Sequence, residues 1–254
     1  MTTHPSAAEQ GRTGDEGWST VTNSNKCKSK KRSNRGRKDG SQSQPSSLSL
    51  PPSSPLFVEP IPPTDDNIRF QPFMLLLVGL PGSGKSTLAM ALEHAMPYKF
   101  VRINQDQLGS RKKCESKLRS VLYNETNPLQ RCPIIDRCNF DSQQRSTWYS
   151  MAEEYRTQQQ QLNQNQQSTM QLLPVDVIVL DVPSSECLRR CQQRLHHETL
   201  NKKNAKRVIQ MVQQQWQLPS QQSATERNRY RSLTIVKSQE DVEQCLWRLL
   251  DQME

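Results

Sequence analysis

The sequence predicts a three-layer α/β fold around a five-stranded parallel sheet, on three observations. From about residue 70 onward, apolar runs recur alternately at strand and helix periods. A glycine-rich segment ending in lysine separates the first apolar run from the first helical pattern. Residues 1–68, by contrast, are rich in Ser, Pro, Gly, Asn and Lys and hold few large apolar side chains. Such a segment cannot bury enough surface to offset its ordering entropy, so a disordered, basic and Pro-rich tail is expected before one domain over 70–254.

The elements follow in order. The first strand is expected at 72–79 within "MLLLVGL" (74–80), a run far too short to cross a membrane. A helix at 84–95 comes next, then a strand at 99–104 in which Val101 and Ile103 alternate with polar neighbours. That strand runs straight into Asn104, Gln105 and Asp106, and a helix is expected at 110–124. "CPIID" (132–136) is the third strand, followed by a helix at 141–157. The stretch 158–171 holds eight Gln in fourteen residues and reads as a low-complexity surface insertion without catalytic role. A fourth strand at 173–182 precedes helices at 183–195 and 204–217, and the fifth strand is placed at 233–237. The last helix, 239–252, opens on Ser238 and Asp241 in a capping-box pattern, with Val242, Cys245, Leu246, Leu249 and Leu250 on one apolar stripe. Strands alternating with helices imply right-handed βαβ units and hence a parallel sheet.

Composition narrows the function classes. No run approaches the roughly 18 apolar residues of a membrane span, and the N-terminus lacks the apolar core of a secretory signal, so no membrane partner is expected. The seven cysteines (27, 114, 132, 138, 187, 191, 245) are scattered without a CxxC pair or zinc-ligand spacing. They fit a reducing compartment in which most serve as small core residues. The net charge is +9, and residues 70–254 alone hold 24 Lys/Arg against 18 Asp/Glu. A basic domain suggests an anionic partner such as nucleic acid or nucleotide. "KCKSKKRSNRGRK" (26–38) adds eight basic residues and no acid, as a nuclear-localisation tract, a nucleic-acid arm or a solvated linker would. "LPPSSPLFVEPIPP" (50–63) reads as an extended connector.

The chemistry starts at Gly79-Leu80-Pro81-Gly82-Ser83-Gly84-Lys85-Ser86-Thr87, a phosphate-loop motif directly after an apolar strand and before a helical pattern. Glycine there lets successive N–H groups turn inward as an anion nest at a helix N-terminus. Between residues 70 and 254 there are only four glycines, at 79, 82, 84 and 109, and three of them sit in this loop. Glycine is therefore placed where backbone geometry demands it. Lys85 is expected to reach the β- and γ-phosphates of ATP and the Ser86 hydroxyl to bind Mg²⁺.

A phosphate loop does not say what receives the phosphate. No NKxD guanine-reading motif and no LSGGQ-like stretch follows, which lowers the GTPase-switch and transporter readings. Ligands of an open α/β sheet sit outside the C-terminal strand ends. Three strands end there on acids: Asp106, Asp136 and Asp181. One can assist Mg²⁺ binding and another can take a proton from an attacking hydroxyl; the alternative for each is to cap the following helix. Glu186, Arg190 and Arg194 share a helix face. Arg190 can pair with Glu186, and Arg194, beside "LHHETLNKK" (195–203), is placed to swing over the phosphates as a lid arginine.

Taken together, GLPGSGKST (79–87), INQD (103–106), IID-x-x-N (134–139) and LDVP-x-x-E-x-x-x-R-x-x-x-R (180–194) resemble the kinase domain of polynucleotide 5′-hydroxyl kinases. They are most similar to the P-loop kinase domains found beside aprataxin-like modules. The resemblance spans about 73–200 and implies a P-loop kinase fold. It implies Lys85, Asp106 and Arg194 as catalytic residues, with Asp106 the general base for the 5′-hydroxyl. It further implies phosphate and Mg²⁺ contacts from Lys85 and Ser86 in the loop (79–87) and an acid near the acceptor strand at Asp136. Beyond it, Arg190 is expected among the ATP contacts, Asp136 with Ser86 at Mg²⁺, and Asp136 and Asn139 at the acceptor, with Arg111 or Lys112 standing in for the acceptor arginine that the match loses. Two departures fall on the acceptor side. Gly109 stands where the phage-type kinase has an acceptor-binding arginine, and Arg137 and Cys138 interrupt the usual DNTN-type segment. The expected function is thus an ATP- and Mg²⁺-dependent polynucleotide kinase of DNA or RNA ends, monomeric and nuclear, or nuclear and cytoplasmic. The alternatives are a small-molecule hydroxyl kinase of the same fold and a non-catalytic ATP-binding adaptor.

Overall fold

The computed structural model describes residues 54, 56–62, 71–123, 131–163, 173–193 and 204–253. Its centre is β1 (Met74–Gly79), six residues without exposure, as befits a strand covered on both faces. β1 pairs in parallel with β3 (Cys132–Asp136) on one side and β4 (Val175–Leu180) on the other. β2 (Phe100–Asn104) and β5 (Ser232–Val236) form the edges, giving the order β2-β3-β1-β4-β5 with every pair parallel. The register sets Gly79 beside Leu180 and Asn104 beside Asp136, so the phosphate loop and the acidic tips emerge at one edge.

The pleat sorts the core into two layers. Leu75, Leu77, Ile134, Ile178 and Leu180 face α1 (Lys85–Ala95) and α7 (Gln239–Asp251). Met74, Leu76, Val78, Ile103, Ile135 and Val177 face α3 (Arg111–Leu122) and α4 (Ser142–Asn163). A third, smaller cluster joins Leu80 of the phosphate loop to α5 (Ser184–Gln193) and α6 (Ala205–Gln214) through Cys187, Cys191, Ala205 and Ile209. Five of the described cysteines are buried, Cys138 is half-buried, and none is in a disulfide. No described helix is long and apolar enough to cross a membrane.

The expected five-stranded parallel sheet is present, with every strand within two residues of its predicted bounds. The Ser238–Asp241 capping box forms in both directions. Three differences stand out. Gln105–Leu108 forms a separate short helix, α2, which the sequence reading ran together with the strand end. α4 continues through the start of the Gln tract to Asn163, because Gln is a good helix former; the rest of the tract, 164–171, lies outside the described residues. Part of the segment read as tail and connector packs on the domain. Leu56 joins the core beside α1, Ile61 N–H donates to Ala95 O at 2.8 Å, and Tyr98 Oη donates to Pro62 O at 3.0 Å. The remaining tail, with the basic tract 26–38, lies outside the described residues.

Candidate active site

The phosphate loop is shaped by close packing. Gly84, the N-cap of α1, has φ +106 and makes no side-chain cap, which leaves the first N–H groups of α1 open toward the loop. Gly82 has φ +86, and a methyl group there would stand 2.4 Å from Cys187 O and 2.8 Å from Cys191 Sγ of α5. A methyl at Gly79 would stand 2.5 Å from Ser83 Oγ. The Lys85 ammonium is held inside the loop, donating to Gly79 O at 2.9 Å, Leu80 O at 2.7 Å and Ser83 Oγ at 3.4 Å. Burial pushes the Cys187 thiol up to about 11, against the opposing pull of Lys85. The loop thus offers a cation and open backbone donors in one concavity, the chemistry a polyphosphate requires.

Asp136 is the hub beside it. Its side chain is 1% exposed and takes contacts from three residues on two elements, α1 and β2. Ser86 Oγ donates to Oδ1 at 3.1 Å, Asn104 Nδ2 to Oδ2 at 2.7 Å, and Arg102 to Oδ2 through Nε at 2.8 Å and Nη2 at 2.7 Å. A carboxylate taken from water requires such pairing, and here it ties the first turn of α1 to the tips of β2 and β3. Arg102 and Asn104 were missed by the sequence reading. Their signal was two polar side chains alternating on one face of a strand that is otherwise buried.

The segment after Asp136 knits itself into the loop. Gly79 N–H donates to Cys138 O at 3.0 Å. Asn139, at φ +47, a conformation Asn tolerates better than most residues, donates to Leu77 O at 2.7 Å and accepts from Trp148 Nε1 at 3.0 Å. Asn139 was expected to contact the acceptor, but it is fully buried and both ends of its amide are committed within the protein. It is a positioning residue. Behind it lies Arg145, whose guanidinium donates to Glu226 at 2.6 and 3.0 Å, to Asn139 O at 3.0 Å and to Gln217 O at 2.8 Å.

The tip of β2 leads to a different surface. Asn104 Oδ1 accepts from Gln107 N and caps α2, which carries exposed Asp106 two residues past the Asp136 hub. Gly109 closes α2 at φ +82, and Ser110 caps α3 by accepting from Lys113 N at 3.2 Å. Arg111, Lys112 and Lys113 line the first turn of α3, all exposed. Arg111, expected to contact the acceptor, pairs with Glu115 at 3.0 Å. Arg190, expected to contact ATP, pairs with Glu186 at 2.7 Å. Bonds from Arg189 and Arg190 hold the Glu186 carboxyl down at about 2. Arg194 and the segment 195–203 lie outside the described residues.

A family model described as AAA domain matches residues 74–219 of the chain. No curated protein gives a match. Among solved structures, a fungal RNA kinase is 15% identical over 71% of this chain and 86% of its own, with a TM-score of 0.52. Kti12 of Chaetomium thermophilum, in complex with ADP-AlF3, is 15% identical over 71% and 99%, with a TM-score of 0.47. The APS kinase CysC of Mycobacterium tuberculosis, in complex with AMPPNP and APS, is 13% identical over 72% and 97%, with a TM-score of 0.43.

Proposed function

The chain belongs to the AAA domain family, and from that premise we propose that it is a kinase that moves the γ-phosphoryl group of ATP to the 5′-hydroxyl of a nucleic-acid end. The observation that carries the reading is the Ser86–Asp136–Asn104 chain of hydrogen bonds. It ties the first turn of α1, behind the phosphate loop, to the tip of β2, from which the chain runs into α2 and Asp106, the residue read as the base.

The residues fit nucleotide and Mg²⁺. A polyphosphate would take the open N–H groups of α1 and the Lys85 ammonium. The hard oxygens Ser86 Oγ and Asp136 Oδ1, 3.1 Å apart, would hold Mg²⁺ with the phosphates themselves completing its shell. Among the described residues no group of three His, Cys, Asp or Glu is placed to cage a metal. When bound, Mg²⁺ neutralises phosphate charge. In the transfer, the Asp106 carboxylate takes the proton of the acceptor hydroxyl. The hydroxyl oxygen forms its bond to the γ-phosphorus, and the bond to the β–γ bridging oxygen breaks, leaving ADP. Arg194 is proposed to stabilise the charge on the transferred group.

The nucleic-acid acceptor is supported by the INQD segment and the exposed basic first turn of α3, and one protein of this fold is a fungal RNA kinase. Action on DNA or RNA ends in the nucleus, as a monomer, belongs to the same proposal. Labelled ATP supplied with 5′-hydroxyl and 5′-phosphate oligonucleotides tests it. Label is expected on the 5′-hydroxyl strand alone. Label on a small alcohol but on no oligonucleotide would transfer the reading to a small-molecule kinase.

A further inference from the structure

β5 is an edge strand that pairs with β4 alone. Arg231 N–H, at its start, donates to Val175 O at 2.7 Å, toward β4. The alternation of the ladder then directs the N–H and C=O groups of Ser232 and Thr234 away from β4, to the open edge. The register sets Leu233 beside Val177 and Ile235 beside Val179, so all four share one face of the sheet. Val177 and Val179 are fully buried, whereas Leu233 is 36% exposed and Ile235 41%. The apolar face of the sheet thus runs out beyond its cover. On the opposite face, Val236 packs in the core with Leu246 and Leu249 of α7, and Arg248 Nη2 donates to Thr234 Oγ1 at 3.0 Å. Arg248 and Lys237 are both exposed, and neither forms an ion pair with a carboxylate among the described residues. Asp241 feels the Lys237 charge, but its carboxylate is spent on the N–H groups of Lys237 and Ser238.

An open edge with unused main-chain groups, an apolar face and two unpaired cations is built to take another strand. A second copy of β5 fits it poorly. Antiparallel pairing about Thr234 would bring the two Arg248 guanidinium groups together and set Arg231 of each copy against Lys237 of the other, and like charges so placed are destabilising. We propose that the β5 edge docks an extended segment of another protein, one that alternates carboxylate and aliphatic side chains. Its main chain bonds Ser232 and Thr234, and its aliphatic side chains cover Leu233 and Ile235. Carboxylates on its other face meet Arg248, and one at its end meets Lys237. β5 is the edge opposite β2, so a docked strand leaves α2 and Asp106 uncovered, whatever the chain transfers.

The test uses three labelled peptides long enough to span β5: alternating Glu and Val, alternating Lys and Val, and the Glu–Val composition with its Glu residues in one block. Each is titrated against the full-length protein at low salt and read by fluorescence anisotropy. Wild type is expected to bind the alternating Glu–Val peptide roughly 10-fold more tightly than either of the others. Thr234→Pro removes an outward N–H at an edge position, where proline is tolerated, and should abolish that preference with ATP affinity unchanged. Arg248→Glu should weaken the Glu–Val peptide and favour the Lys–Val one. Equal wild-type affinity for the three peptides, or binding of none, overturns the proposal, as does a Thr234→Pro variant that keeps the preference. A wild-type dimer that Thr234→Pro dissolves in analytical ultracentrifugation overturns it in favour of a second copy. Should Thr234→Pro not fold, Arg248→Glu and the wild-type comparison decide.

Discussion

Around the phosphate loop the polar side chains are buried and bonded to other parts of the protein. Lys85 is held by two carbonyls, Asp136 by Ser86, Arg102 and Asn104, and Asn139 by Leu77 O and Trp148. A few residues away, the α2–α3 corner turns to solvent. Asp106, Lys112 and Lys113 are exposed, and between the two regions Arg137 keeps an unused donor. The nucleotide side is thus preorganised by the fold, which lowers the ordering cost at binding. The proposed acceptor side consists of surface groups on α2 and the first turn of α3, where substitution is expected to change recognition with little effect on stability. One fold can in this way keep a fixed phosphate donor while the acceptor varies.

Four substitutions would break or sharpen this contrast. Glu226→Ala should have the largest effect, since it leaves the fully buried Arg145 guanidinium unpaired behind Asn139. A loss of about 3–5 kcal/mol is expected in urea unfolding. A loss below about 1 kcal/mol would show that the donor scaffold is looser than described. Gly82→Ala combines a positive φ with a contact to the Cys187 carbonyl, and roughly 1–3 kcal/mol of strain is expected. ATP affinity should fall with it, read by calorimetry.

On the acceptor side, Lys112→Glu or Lys113→Glu should leave the melting temperature and ATP affinity in place. The KM for oligonucleotide should rise, and the salt slope of binding should fall by about 1 per lysine removed. The smallest effect lies far from both edges. Backbone N–H groups of Lys237 and Ser238 hold the Asp241 carboxyl below its usual range. A carboxyl depressed in the folded state stabilises fully above its unfolded pKa, about 3.9, and loses that contribution as pH falls through the folded value. Asp241→Asn should therefore flatten the acid end of the stability curve slightly, and leave transfer unchanged.

The sheet was legible because its strands are short apolar runs bounded by turn residues, and β3 falls where "CPIID" places it. Gly109 was visible as the one glycine of residues 70–254 outside the phosphate loop, but the short helix that it closes at φ +82 was not foreseen. The Asp136 hub was half-legible. The acid was visible at a strand tip, but Arg102 and Asn104 reach it across the sheet, and such a pairing depends on strand order, which local pattern does not contain. Asn139 was misplaced for the same reason, since its partners Leu77 and Trp148 come from other elements. The insertion of Arg137 was seen as a departure. That its Nη1 ends up buried without a hydrogen-bond partner depends on the folded packing around it.

Asp106→Asn gives the most direct test of the central claim, because the change removes a proton acceptor and preserves shape. Transfer from labelled ATP to a 5′-hydroxyl oligonucleotide, and ATP affinity in parallel, should be measured for wild type and variant. A fall in transfer of roughly 10²- to 10⁴-fold with ATP affinity unchanged is predicted. A variant that transfers as fast as wild type, or a wild type that binds ATP and transfers to no hydroxyl, would contradict the account.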